Sequence, residues 1–234
     1  MKKGKIIVIE GNDCSGKETQ SKLLVKRLKK EGLKAEIMSF PRYDTPTGQI
    51  VGECYLGKAL KYNGGSWFKN PTSLDPKIAT LYYAADRRAA REDIIKKIQD
   101  NDFLILDRYV ESNMAHQGGK LEKKEERVSM AKWISKLEYE LLELPRPDLV
   151  IFLHMPYEIA LNLKRRRDKN LKCRDLDSHE EDVPYLRKIE KCYMELAEEF
   201  GWEKIECGKE REPFDRKEIN ENIFNLIKKR FLKL

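Results

Sequence analysis

Short apolar runs bounded by polar residues recur along the chain, each too short to be a helix. Lys5 to Ile9, Ala35 to Phe40, Phe103 to Leu106 and Leu149 to Leu153 are rich in β-branched or aromatic residues and read as buried parallel strands. A weaker fifth run extends from Trp202 to Cys207. Between the runs the apolar period changes. Leu24 and Leu28, then Val128, Ala131, Ile134, Leu137 and Leu141, then Leu186, Ile189, Tyr193, Leu196 and Phe200 each fall on one face of a helix, and a last helix carries Ile219, Ile223 and Leu226. Strand and helix therefore alternate as βαβ units. The expected architecture is a doubly wound α/β fold, a five-stranded parallel sheet with helices on both faces.

No internal repeat, low-complexity tract or long Pro/Gly-rich linker divides the chain, so one domain over residues 1–234 is expected. With 40% hydrophobic residues it can bury one substantial core. Two stretches have loop chemistry. Lys61 to Ser73 contains Asn63-Gly64-Gly65 and Asn70-Pro71, and Asp168 to Pro184 is polar, charged and without period. With the basic residues before it, the second stretch is expected to form a lid over about 164–184. Both signs of charge are mixed, 47 Lys and Arg against 40 Asp and Glu, and the balance of +7 favours an anionic partner without separating nucleic acid from a phosphorylated small molecule.

No apolar run approaches the ~18 residues that cross a bilayer, and Met1-Lys2-Lys3 leads into Ile6 to Ile9 and then Glu10, a strand rather than a signal peptide. No membrane partner is expected. Cys14, Cys54, Cys173, Cys192 and Cys207 are odd in number, scattered and without a C-x-x-C pair, which points to neither a disulfide framework nor a zinc site but to a reducing cytoplasm.

Directly after the first strand stands Gly11-Asn12-Asp13-Cys14-Ser15-Gly16-Lys17, followed by Glu18, Thr19 and Gln20 at the start of a helical pattern. This is G-x-x-x-x-G-K between strand and helix, the P-loop arrangement. The glycines allow the turn and a close backbone approach, successive N–H groups and the helix dipole hold phosphate oxygens, and the lysine reaches the terminal phosphates. Gly11 to Thr19 are thus the expected triphosphate-binding residues. Glu18 stands where Ser or Thr normally offers a hydroxyl to Mg²⁺. A carboxylate beside a triphosphate is repelled unless a cation lies between. Either Glu18 ligates Mg²⁺ directly or through water, or the metal moves to another carboxylate, or the loop no longer binds nucleotide.

With the loop come Phe40-Pro41-Arg42-Tyr43, Tyr83-Ala84-Ala85-Asp86-Arg87, and Asp107-Arg108-Tyr109 continuing through Val110-Glu111-Ser112-Asn113-Met114-Ala115-His116-Gln117. Together, in this order and over almost the whole chain, they resemble the thymidylate kinases, a family of P-loop nucleoside monophosphate kinases. The string D-R-Y-x-x-S-N-x-A-x-Q is far more specific than the loop by itself. The resemblance implies transfer of the γ-phosphoryl group of ATP to dTMP, giving ADP and dTDP, with Mg²⁺ bridging the donor phosphates. It also implies ATP binding by Gly11 to Thr19 and a homodimer built on helix faces.

What the resemblance implies for single residues can be set beside their chemistry. Phe40 and Arg42 match the region of the acceptor monophosphate, where the planar fork of an arginine suits a phosphate. Tyr83 and Arg87, four apart and so on one helix face, match an aromatic against thymine and an arginine on its O4. Arg108, after the third strand, is expected on the transferring phosphate, with an ion pair to Asp107 or another acid as its structural alternative. Ser112 and Asn113 match positions facing the nucleotide, Asn113 able to hydrogen-bond N3 of the base, and Gln117 follows one turn on. His116 stands where relatives usually carry Tyr or Phe near the sugar, which leaves deoxyribose discrimination open. Asp13 matches a carboxylate near the acceptor's 3′-hydroxyl and the metal, so Asp13 and Glu18 are the expected metal ligands. Cys14 replaces a basic loop residue, while Lys164-Arg165-Arg166-Arg167 opens the lid and Lys172 and Arg174 continue it. That division favours a lid arginine, Arg165 or Arg167, as catalyst beside Lys17 and Arg108.

Three other readings stay open on the residues. His116 motivates a nucleoside or nucleotide kinase with another base preference, and Glu18 a nucleotide-binding protein without transfer. The net charge and the run from Lys164 to Arg167 motivate nucleic-acid binding, but no recognisable reader module accompanies them.

Overall fold

The computed structural model describes residues 4–58, 66–68, 73–170 and 183–232, with backbone alone at 167–170 and 183. Five strands form one sheet: β1 (Lys5–Gly11), β2 (Ala35–Ser39), β3 (Phe103–Asp107), β4 (Leu149–His154) and β5 (Glu203–Glu206). All pair in parallel, in the order β2-β3-β1-β4-β5. Each lies within two residues of a run marked by the sequence. The helices are α1 (Lys17–Lys30), α2 (Pro46–Gln49), α3 (Pro76–Ala89), α4 (Arg91–Asp100), α5 (Val110–Gly118), α6 (Lys124–Ser135), α7 (Tyr157–Asn170), α8 (Val183–Phe200) and α9 (Arg216–Phe231). A two-stranded hairpin, β6 (Gly208–Lys209) and β7 (Glu212–Pro213), precedes α9.

Successive strand residues face opposite sides, so the sheet is covered twice. Ile6, Val8, Leu104 and Phe152 pack with Ile94 of α4, Met114 of α5, Ile134 of α6 and Tyr193 of α8. On the other face, Ile7, Ile9, Ile105 and Ile151 pack with Leu24 of α1, Ile159 of α7 and Ile223 of α9. Central β1 is apolar on both sides because both sides are core. Its register, Ile9 opposite Asp107 of β3, brings the loop after β1 beside the end of β3.

Two helices run on into π-helical turns, α2 through Ile50–Tyr55 and α6 through Lys136–Leu141. The second corrects the periodic reading of this helix. The spacing from Val128 to Leu141 expects Leu137 and Leu141 on the buried face, but Leu141 is 66% exposed, while Glu138 and Tyr139 are buried. A π turn holds one residue more than an α turn, so Glu138, one turn after the buried Ile134, stays on the inner face, while the residues after it fall behind the 3.6 register and Leu141 turns to solvent.

The helix α7 continues to Asn170, past the point at which the sequence expects loop, and α8 already includes Pro184. The rest of the expected lid, with Lys172, Cys173 and Arg174, lies outside the described residues, as does most of Lys61 to Ser73. Among the described residues no helix is long and apolar enough to cross a membrane.

Candidate active site

The loop after β1 is shaped by positions that tolerate little else. Gly11 has φ +151°, and a Cβ there would stand 2.6 Å from the Leu153 carbonyl oxygen and 2.6 Å from Ser15 Oγ. Only a residue without Cβ passes so close to β4. Gly16, with φ 87°, leads into α1, and Cys14 also has positive φ, at 61°. Lys17 is buried and folds back over the loop, Nζ donating to the Asn12 carbonyl at 2.7 Å. Both polar side-chain atoms of Asn12, and Ser15 Oγ, are buried without a protein partner. Such groups are costly to leave unpaired and suit an oxygen-rich ligand.

Charge concentrates beside this loop. Arg108, with φ 66°, follows β3, and its guanidinium donates to the Asp13 carboxylate and lies 3.5 Å from Ser112 Oγ. The partner is thus the loop acid Asp13 rather than Asp107. Burial pushes the Asp13 carboxyl up, but Arg108 and Lys17 outweigh it and hold the group well below the usual carboxylate range. Burial, with help from Arg108, pushes the Lys17 ammonium down to about 8 against the pull of Asp13 and Asp107. Asp107 is raised by burial despite Lys17 and Arg108. Glu18 is 70% exposed on the rim, where Lys22 Nζ donates to it at 2.5 Å as an i,i+4 pair.

Behind the cluster lies an acid that the sequence reading passed over. Glu10 on β1 is fully buried and accepts from the backbone N–H of Tyr109 (2.8 Å) and Ser112 (3.0 Å), from Ser112 Oγ (2.6 Å) and from the Tyr193 hydroxyl (2.9 Å). These N–H groups open α5, whose own N-cap supplies no side chain, so a carboxylate from a strand caps the helix. Burial raises the Glu10 pKa, with Arg108 opposing. The signal was an acid at the end of the apolar string Ile6 to Ile9.

Further along the same wall, α3 and α5 bring the other candidates together. Asp75 caps α3 through Lys77 N (2.8 Å) and Ile78 N (3.1 Å), with Pro76 at the first helical position. Tyr83 stands edge-on to Tyr55, ring centres 5.6 Å apart. Arg87 is buried and donates to Glu138 through Nε (2.5 Å) and Nη2 (2.7 Å). Asn113 Nδ2 donates to Glu138 (2.9 Å) and to the Thr80 carbonyl (3.3 Å). Asn113 Oδ1 and Gln117 Oε1 are buried without a protein partner. His116 Nδ1 is 3.3 Å from the Tyr185 hydroxyl, and its ring meets Tyr193 edge-on. Phe40 is buried against Tyr109.

A cleft of about 980 Å³ joins these groups. Its walls include Asp13 to Gln20 of the loop and α1, Phe40, Asp107, Arg108, Tyr83, Arg87, Ser112, Asn113, His116 and Gln117. Arg42 departs from expectation. It is absent from these walls, its guanidinium lying 3.5 Å from Asp86 and 3.3 Å from Asp93, because two acids on α3 and α4 compete for it. Arg165 is exposed and also away from the cleft, since it lies on the outer side of α7. The Arg167 side chain lies outside the described residues. Instead Lys164, buried, lines a small pocket with Asn12, Asp13 and Cys14. Among the described residues no group of three or more His, Cys, Asp or Glu is arranged to hold a metal. The cleft carboxylates are Asp13, Glu18 and Asp107.

A family model described as thymidylate kinase matches residues 9–219. The chain is 32% identical over 197 residues to the thymidylate kinase of Mycobacterium tuberculosis, covering 84% of this chain and 87% of that protein. It is 29% identical over 211 residues to the thymidylate kinase of Plasmodium falciparum, covering 90% and 86%. A solved thymidylate kinase from Candida albicans shares the fold with a TM-score of 0.67, over 97% of this chain and 92% of that one, at 22% identity.

Proposed function

The chain belongs to the thymidylate kinase family, and from that premise we propose that it phosphorylates dTMP to dTDP with ATP as donor. The observation that carries the reading is one cleft in which the phosphate-binding loop and Lys17 meet Tyr83, Arg87, Asn113 and Gln117. In-line transfer needs two anions brought together and the developing charge stabilised, which is work for positioned cations. Lys17 and Arg108 supply it. Arg108 is held in place by Asp13 before any ligand arrives. A triphosphate beside Lys17 favours its charged form, against the burial that lowers its pKa.

On the acceptor side, Arg87 offers donors to O4, Asn113 Oδ1 offers an acceptor to N3–H, and Tyr83 offers a ring face. His116, which motivated a different acceptor, is engaged with Tyr185 and Tyr193. Mg²⁺ would supply neutralisation of the donor phosphates' charge, and such an ion needs only one or two carboxylates beside phosphate and water. Asp107 and Glu18 would hold it, Glu18 leaving an exposed pair with Lys22, whereas Asp13 is held by the partly buried Arg108. The reading treats the chain as one catalytic domain and, from its scattered cysteines, as a protein of the cytoplasm. It includes a homodimer through α3, whose outer face exposes Ile78 (46%) and Leu81 (53%).

The test is ADP release from Mg²⁺ATP with dTMP, dUMP, dCMP, dGMP, ribosyl TMP or no acceptor, with the products identified. A strong dTMP preference is expected, and Lys17→Ala should lower turnover by roughly 10²–10³-fold. Near-normal turnover in that variant refutes the phosphate assignment, and silence on every acceptor from protein that binds ATP refutes transfer.

A further inference from the structure

Arg87 and Asn113 reach the cleft, but a third residue, absent from its walls, holds both of them. Glu138 arises from the π turn at Lys136–Leu141 and is fully buried, taking two hydrogen bonds from Arg87 and one from Asn113 Nδ2. The Thr80 carbonyl accepts from the same nitrogen at 3.3 Å. An ionised carboxylate and a backbone carbonyl can accept and cannot donate. Both neighbours of the amide therefore require its nitrogen, and the flipped rotamer would set Oδ1 against a carboxylate oxygen. The orientation of Asn113 is fixed by chemistry, with Oδ1 the atom left unpaired in the cleft wall.

We propose that Glu138 is the positioning residue that sets base selectivity, by locking the Asn113 amide with its oxygen, and Arg87 with its remaining donors, toward the acceptor base. This rests on the reading above that the base lies against these two residues. A site with an acceptor beside donors suits the imide of thymine or uracil, which presents an N3–H donor beside the O4 acceptor. Cytosine presents an N3 acceptor beside an amino donor, and meets like against like at both atoms. Glu138 touches no base and acts through Arg87 and Asn113. Its acceptor-only character is the essential property, because a carboxamide could satisfy either rotamer of Asn113.

The test compares kcat and KM for dTMP and dCMP in the wild type, Glu138→Gln, Glu138→Asp and Asn113→Ala. In Glu138→Gln the KM for dTMP should rise about tenfold with the KM for ATP unchanged, and the dTMP-over-dCMP ratio of kcat/KM should fall by about tenfold or more. Glu138→Asp, still acceptor-only, should keep most of that ratio. A Glu138 that merely supports the fold lowers both acceptors alike and leaves the ratio unmoved, which overturns the proposal. If Asn113→Ala leaves the ratio unmoved, the base is not read here, and the underlying reading falls as well. If the ratio falls in Asn113→Ala and not in Glu138→Gln, the role of Glu138 alone is refuted. Should Glu138→Gln fail to fold, the side-chain amide of Asn113 in ¹⁵N-labelled wild type still decides. Side-chain amide protons shielded from solvent exchange before dTMP is added support the lock, and protons that exchange freely until dTMP binds refute it.

Discussion

Glu111 sits one residue before Ser112, buried, and accepts from the Tyr139 hydroxyl at 2.5 Å. Burial pushes its carboxyl up to about 8, only partly offset by that hydrogen bond. In the unfolded chain the group titrates near the ordinary value of about 4.3. The folded state thus binds this proton more tightly, so its contribution to stability is full below the unfolded pKa and is lost as pH rises through about 8. Glu111→Gln keeps the neutral shape. We expect its melting temperature to gain on the wild type from pH 5 to about pH 8 and to level off above, and a difference that stays constant with pH would remove Glu111 as the titrating group. Of the expected residues found in the cleft walls, Lys17 was marked by the spacing of its loop, Arg108 and Asn113 by the resemblance of their motif. Their partners were not legible, since Arg108 finds Asp13 across 95 positions and Arg87 finds Glu138 across 51. Nor could spacing show that Arg42 lies beside Asp86 and Asp93.

The strands were readable because a strand buried on both faces is apolar throughout, and most helices because one stripe suffices. The π turn was not, because an extra residue per turn leaves no mark in a 3.6-residue pattern. The helix α3 carries both an acceptor-facing edge, with Tyr83 and Arg87, and the Thr80 carbonyl that helps orient Asn113. Its start depends on Asp75. Asp75→Ala removes the cap from two N–H groups and should cost about 0.5–2 kcal/mol. The melting temperature should fall and the KM for dTMP rise while the KM for ATP stays put. Equal rises in both would mean that α3 does not act as a unit of the acceptor side.

Across the whole molecule, the order β2-β3-β1-β4-β5 collects the ends of β1, β2 and β3 at one edge, where loop, arginine and aromatic groups converge. The same α3 that faces this cleft turns Ile78 and Leu81 outward. If two copies meet there, Leu81→Asp should sediment as a monomer where the wild type sediments as a dimer. A wild type that is monomeric at micromolar concentration would end the dimer proposal. The π turn carries a consequence of another kind, for how such a chain can change by heredity. Loss of a single codon between Tyr139 and Leu141 would return the helix to its ordinary winding with Ile134 and Glu138 before the turn, and Leu142 after it, still facing inward. The turn is thus a place where the gene can lengthen or shorten by one codon while the faces on either side of it keep their neighbours.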